Sequence, residues 1–98
     1  MERYAARTID EFFRLGLHGE LRQKIGLELG AKVSLMIVDT IVILQKWSDD
    51  SGRECVEIDD LGMLTLPHLL KSMLGWKERD KVSSYHSDNI IILKLSDS

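Results

Sequence analysis

Asp10 and Asp59 are the first residues that could do chemistry, because two carboxylates can divide acid and base work between them. No third group, activated nucleophile or phosphate-cradling loop accompanies them. Each instead follows a short apolar stretch and opens a turn. An aspartate there accepts backbone N–H bonds or orients a neighbouring arginine. His18, His68 and His86 have no metal-ligand spacing among themselves or with Cys55, so neither a metal nor a cofactor is expected. The histidines read as surface or helix-capping residues. Cys55 has Glu54 and Glu57 for neighbours and only Arg53 as a nearby cation, which does not make a reactive thiolate. The sequence therefore predicts no enzyme and no small-molecule substrate.

Charge is unevenly distributed. The whole chain carries a formal −3, but residues 1–48 hold seven Lys/Arg against six Asp/Glu, whereas residues 49–98 hold six against ten. An acidic total argues against general nucleic-acid affinity, so any cationic face must come mainly from the first half. With 44% hydrophobic and 30% charged residues the composition is that of an ordinary soluble globular protein. No apolar run approaches the roughly 20 residues that cross a bilayer, so no membrane partner is expected. Met1-Glu-Arg is not followed by the apolar stretch of a leader, and the single Cys55 cannot form an internal disulfide. A cytoplasmic location is the expectation.

The elements that position these residues occur twice. Residues Ile9–Lys46 align with Ile58–Leu95 at a constant offset of 49, without a gap, and 13 of the 38 positions are identical. Each copy has about 40 residues, too few to bury a sufficient core alone, so the two should share one. The organisation expected is a single domain over 1–98, with repeat one at 6–47, a polar linker at 48–54 and repeat two at 55–95. Each repeat reads ββαββ. Arg7–Asp10 and Val56–Asp59 are short strands. Arg14–Leu17 and Met63–Leu66 alternate apolar and polar. Gly19–Ile25, closed by Gly26, and His68–Leu74, closed by Gly75, have helical spacing and a left-handed cap. The hairpins Lys32–Val38/Thr40–Leu44 and Lys81–Tyr85/Ile90–Leu93 turn at Asp39 and at Ser87-Asp-Asn89. The continuous runs Ile41–Leu44 and Ile90–Leu93 predict burial on both faces. Phe13 stands where repeat two has the turn residue Gly62, which predicts turns of different shape. Leu17, Leu21, Val42 and Leu44, with Leu66, Leu70, Ile91 and Leu93, form the expected core. Trp76 should pack on it, and Trp47 should be the more exposed tryptophan.

Ile58-Asp-Asp-Leu-Gly-Met-Leu-Thr-Leu-Pro67, the helix ending at Leu74-Gly75-Trp76, and Asp80-Lys-Val82 together resemble the AbrB/SpoVT swapped-hairpin family. Repeat one resembles it through Arg7-Thr-Ile-Asp-Glu, Arg14, Glu20-Leu-Arg22, Gly26-Leu27 and Thr40–Gln45. The resemblance covers most of the chain. It implies a mainly β fold with short helices, a swapped-hairpin AbrB-like β-barrel. The tandem copies, as in MraZ-type proteins, imply an intramolecular pseudo-dimer of two ββαββ repeats. It also implies a DNA-binding transcriptional regulator. The family's arginine positions fall on Arg7, Arg14 and Arg22 in repeat one and on Val56, Met63 and Lys71 in repeat two. Lys24 adds a further cation. The implied DNA-binding set is thus Arg7, Arg14, Arg22, Lys24 and Lys71, carried mainly by repeat one. Apart from the resemblance, these read as solvated surface cations paired with residues such as Glu11 or Glu20. The alternative is a degenerate AbrB-like protein-interaction module, antitoxin-like, self-associating or binding a regulator, that no longer contacts DNA. An antitoxin would be expected to continue past the last strand in an acidic tail, whereas the sequence ends at Ser96-Asp-Ser98.

Overall fold

The computed structural model describes residues 2–47 and 54–96, and the predicted linker lies largely outside them. The fold is mainly β with two short helices. Repeat one supplies β1 (Glu2–Thr8), β2 (Arg14–Gly16), α1 (Gly19–Lys24), β3 (Lys32–Val38) and β4 (Ile41–Lys46). Repeat two supplies β5 (Glu54–Glu57), β6 (Met63–Thr65), α2 (Leu69–Leu74), β7 (Lys81–Ser87) and β8 (Ile90–Leu95). Six strands form one sheet in the order β1-β7-β8-β4-β3-β5, while β2 and β6 make a separate two-stranded ribbon. These pairings leave β1 and β5 as edges; they do not close into the barrel that the resemblance implies.

The first strand of each repeat leaves its own unit. β1 pairs with β7 of repeat two, and β5 pairs with β3 of repeat one. The register is matched about two centres, Ile43↔Ile92 in β4–β8 and Leu15↔Leu64 in β2–β6, and each pair consists of residues 49 apart. The connecting loops cross in the same way. Ile9 donates its N–H to Asp80 O at 2.9 Å, and Ile58 donates to Ala31 O at 3.0 Å. Arg79 N–H reaches Ile9 O at 2.9 Å, and Gly30 N–H reaches Ile58 O at 2.7 Å.

One apolar cluster unites the repeats and includes all eight predicted core residues, each no more than 5% exposed. Trp76 is buried and Trp47 half-buried. The strands β4 and β8 depart from expectation. Val42, Leu44, Ile91 and Leu93 are buried, but Ile41, Ile43, Ile90 and Ile92 are only half-buried. The core lies on one face of the sheet, so alternate residues point to the other. β1 begins at Glu2, earlier than the sequence pattern predicts, and its register shifts between Tyr4 and Arg7.

The turn at Phe13 corrects a second expectation. Phe13 takes φ 59° and its counterpart Gly62 takes φ 78°. The two turns have the same bonds: Phe13 N–H to Asp10 O at 3.1 Å, and Gly62 N–H to Asp59 O at 3.0 Å. A phenylalanine in the left-handed region is disfavoured by roughly 1–2 kcal/mol. Burial of its ring, 6% exposed, offsets that cost. The other positive-φ residues also fall in pairs 49 apart: Gly26 with Gly75, Gly30 with Arg79, and Asp39 with Asp88. The repeated backbone therefore persists where the side chains do not.

Candidate functional site

Asp10 organises the β2 end of the ribbon. Its Oδ1 accepts the N–H groups of Phe12 and Arg14, both at 2.9 Å, and its Oδ2 accepts Arg14 Nε at 2.9 Å. Burial tends to raise the Asp10 pKa, but the Arg14 backbone and side-chain donors and the Phe12 N–H outweigh it and hold the carboxyl below its ordinary value. This is the orienting role open to a turn aspartate next to an arginine. Asp59 repeats the backbone part, accepting Leu61 N–H and Met63 N–H at 2.9 Å. Its neighbour in β6 is Met63, so no side chain of its own repeat completes the arrangement. Arg14 fills that place from across the ribbon, with Nη1 3.9 Å from Asp59 Oδ2.

The helix cations also reach across. The Arg22 guanidinium lies over Gly62, where a Cβ would sit 3.4 Å from Nη2. Its Nε is buried without a hydrogen-bond partner. The counterpart in α2, Lys71, places Nζ 4.6 Å from the centre of the Phe13 ring, a cation–π contact. Each helix thus sets a cation on the other repeat's turn. Arg7 approaches the same ribbon from β1: a Cβ on Gly16 would lie 3.6 Å from its Nη1 and 3.5 Å from Met63 Sδ.

Arg7 has a partner that sequence reasoning missed. His18 lies 2.9 Å from Ala5 O through Nε2 and 3.3 Å from Arg7 Nη2 through Nδ1. Arg7 Nε also lies 3.4 Å from His18 Nε2, so the guanidinium faces both ring nitrogens. His18 precedes α1 as its N-cap residue but makes no side-chain capping bond. Proximity of 11 residues along the chain gave no signal for this pair; it depends on where β1 is placed. Lys24 is directed elsewhere. It is ion-paired with Glu2 and stands 5.9 Å from the centre of the Tyr4 ring. Hydrogen bonding to Glu2 raises the Lys24 pKa, and the same bond lowers that of Glu2.

Arg7, Arg14 and Arg22 are therefore gathered around the ribbon, Lys71 sits over its Phe13 end, and Lys24 is set aside by Glu2. Phe12 and Leu61, at the tips of the two equivalent turns, are 65% and 74% exposed. Among the described residues no group of three or more His, Cys, Asp or Glu could hold a metal ion, and no helix is long and apolar enough to cross a membrane.

No protein-family model and no curated protein sequence matches the chain. The solution structure of PHS018 from Pyrococcus horikoshii is similar, with a TM-score of 0.53 and 16% identity over 97% of this chain and 88% of that one. At that identity the likeness concerns the fold alone.

Proposed function

We propose that the chain is a DNA-binding regulator that contacts duplex DNA through the face around β2 and β6. Arg7, Arg14 and Arg22 make the contacts, with Lys71 in support, while Lys24 is held by Glu2. The two repeats act as an intramolecular pseudo-dimer of AbrB/SpoVT swapped-hairpin type. The exchange of β1 and β5 between repeats and the register matched at Ile43/Ile92 and Leu15/Leu64 support the pseudo-dimer reading.

One observation carries the DNA reading: arginines from three separate elements of repeat one converge on a ribbon of three-residue strands. A guanidinium has five N–H donors in a planar fork. Arg14 commits Nε to Asp10 and turns Nη1 toward Asp59, which fixes the side chain and leaves Nη2 for phosphate or a guanine edge. Repeat two offers Val56 and Met63 at the matching positions, so the face is one-sided. Affinity should be modest and the salt dependence shallow.

The test is fluorescence anisotropy of labelled genomic DNA fragments at low salt. Binding by the wild type, its loss in the Arg14→Ala/Arg22→Ala double variant, and its strengthening by Met63→Arg are the expected results. A second reading, a protein-interaction module, is favoured by the exposed apolar tips Phe12 and Leu61. Absence of wild-type binding at low salt would make it the better one.

A further inference from the structure

Phe12 and Leu61 occupy equivalent tips of the two aspartate-headed turns, and both are apolar and exposed, at 65% and 74%. Arg14 and Met63, two residues further on in each copy, have diverged instead. Both tips are built the same way. Phe12 and Leu61 donate their N–H groups to Oδ1 of Asp10 and Asp59 at 2.9 Å, and the residue after each has positive φ. A turn held like this presents its apolar side chain with little backbone freedom left to lose on binding.

The tips share a face with the cations. Leu15 and Leu64 are buried opposite each other in the ribbon, so their neighbours Arg14 and Met63 point outward. The Phe12 ring lies on that outer side, its centre 5.0 Å from the Arg14 guanidinium carbon. The pairing Leu15↔Leu64 relates the repeats by a two-fold axis through the ribbon, which turns the Leu61 tip to the same side. Arg22 lies over Gly62, next to Leu61, and Lys71 over the Phe13 ring, next to Phe12. The turns sit at opposite ends of the ribbon: Leu66 N–H reaches Phe13 O at 2.9 Å, and Leu17 N–H reaches Gly62 O at 3.2 Å. At a strand rise of about 3.3 Å the tips lie roughly 13–20 Å apart along it, about four to six base-pair steps.

An apolar tip with a cation at its base suits a partner that sets stacked apolar groups beside negative charge. A protein groove would have to supply that alternation twice at this spacing. Duplex DNA supplies it at every step, with bases inside and phosphates outside. We propose that Phe12 and Leu61 are wedges that enter between base pairs and bend the duplex, an inference that rests on the DNA-binding reading above. Phenylalanine and leucine inserted at base steps kink DNA by about 20–90°. The cations beside each tip hold the phosphates that flank the opened step. Steps that unstack at little cost, TA and CA, are the preferred ones. The face then selects DNA by deformability at both tips, although its arginines belong to one repeat.

The experiment uses the full chain and a duplex of about 30 base pairs with two TA steps about five base pairs apart. 2-Aminopurine replaces the adenine of each step, and a dye pair marks the ends. Binding is followed at low salt, where phosphate contacts bring any duplex to the protein. The expected result is a rise in 2-aminopurine fluorescence, a shortened end-to-end distance, and tighter binding than to a duplex without pyrimidine–purine steps. Phe12→Ala and Leu61→Ala alter exposed side chains, so both variants fold. Each should lower the 2-aminopurine signal by about half and weaken binding by about tenfold, with the salt slope kept because no phosphate contact is lost. Phe12→Leu retains an apolar wedge and should retain the bend; if it behaves as Phe12→Ala does, the ring serves only to place Arg14 and the proposal is overturned. Salt-dependent binding with neither optical signal overturns the wedges and leaves the cationic face standing. Bending unchanged in the alanine variants overturns them as well. No binding at low salt overturns the wedges together with the DNA reading and leaves the tips to a protein partner.

Discussion

The two repeats share turn geometry and crossing hydrogen bonds but carry different surfaces. At one turn position repeat one holds Phe13 and repeat two Gly62, both with positive φ. At equivalent positions of the ribbon, repeat one presents Arg14, paired with Thr65, and repeat two Met63, paired with Gly16. Beyond the helices, a Cβ on Gly26 would meet Lys46 Nζ at 3.2 Å, whereas one on Gly75 would meet nothing within 4 Å. The shared demands are those of the interlocked sheet: buried Leu21 and Leu70, buried Val33 and Val82, and crossing hydrogen bonds at Ile9 and Ile58. Surface positions under no such demand have diverged into a cation-bearing half and an acidic half. Exchange of strands explains why the backbone could not diverge with them, because each repeat supplies part of the other's sheet.

The largest expected effect comes from separating the two. Residues 1–48 and residues 52–98, expressed alone, should each fail to fold, since β1 loses β7 and β5 loses β3. Circular dichroism melts check this; two cooperatively melting monomers would show that the repeats are independent. Next are the equivalent core residues. Leu21→Ala and Leu70→Ala should each cost about 2–5 kcal/mol in denaturant unfolding. Both are 0% exposed, so a loss under roughly half a kcal/mol at either would contradict the shared helix face.

The turns should then distinguish the copies. Gly62→Ala should cost about 1–2 kcal/mol, from positive φ and from crowding against Arg22. Phe13→Gly relieves a similar strain but removes a buried ring, so a net loss of about 1–2 kcal/mol is expected. If Phe13→Gly is stabilising, the ring does not hold that turn.

The smallest effect is at Asp10. Asp10→Ala should cost about 1–2 kcal/mol at neutral pH, through two backbone bonds left unmade. The folded-state pKa of Asp10 is lowered, so its contribution is present above the ordinary carboxylate range and is lost as pH falls through the folded value. Stability measured from pH 6 down to about 2 should therefore decline less steeply in Asp10→Asn than in the wild type. Identical acid branches would remove the carboxylate from the account.

The gapless 49-residue offset made the element order, the helix faces and the core legible from sequence, because those are set by spacing of apolar residues and by Gly26 and Gly75. The turn at Phe13 was not legible. Local propensity disfavours its φ, and the bonds from Asp10 and the burial of the ring override propensity only in the folded chain. The half-exposure of Ile41, Ile43, Ile90 and Ile92 was hidden for another reason: an unbroken apolar run gives no sign of which face lacks a covering layer. In the site, Asp10 and Arg14 are four apart and could be paired by eye. Arg22 over Gly62 and Arg7 beside His18 could not, since both depend on how one repeat lies across the other.

The central claim is that the cations of repeat one make a one-sided DNA-binding face, and its most direct measurement is the salt dependence of the binding constant for duplex DNA. Log K against log salt should fall with a slope of about −0.9 for each phosphate neutralised, hence about −3 for Arg7, Arg14 and Arg22 together. Arg14→Ala/Arg22→Ala should abolish the signal, and Met63→Arg should steepen the slope by about one phosphate. No detectable binding by the wild type at low salt, or a slope unchanged in the double variant, would contradict it.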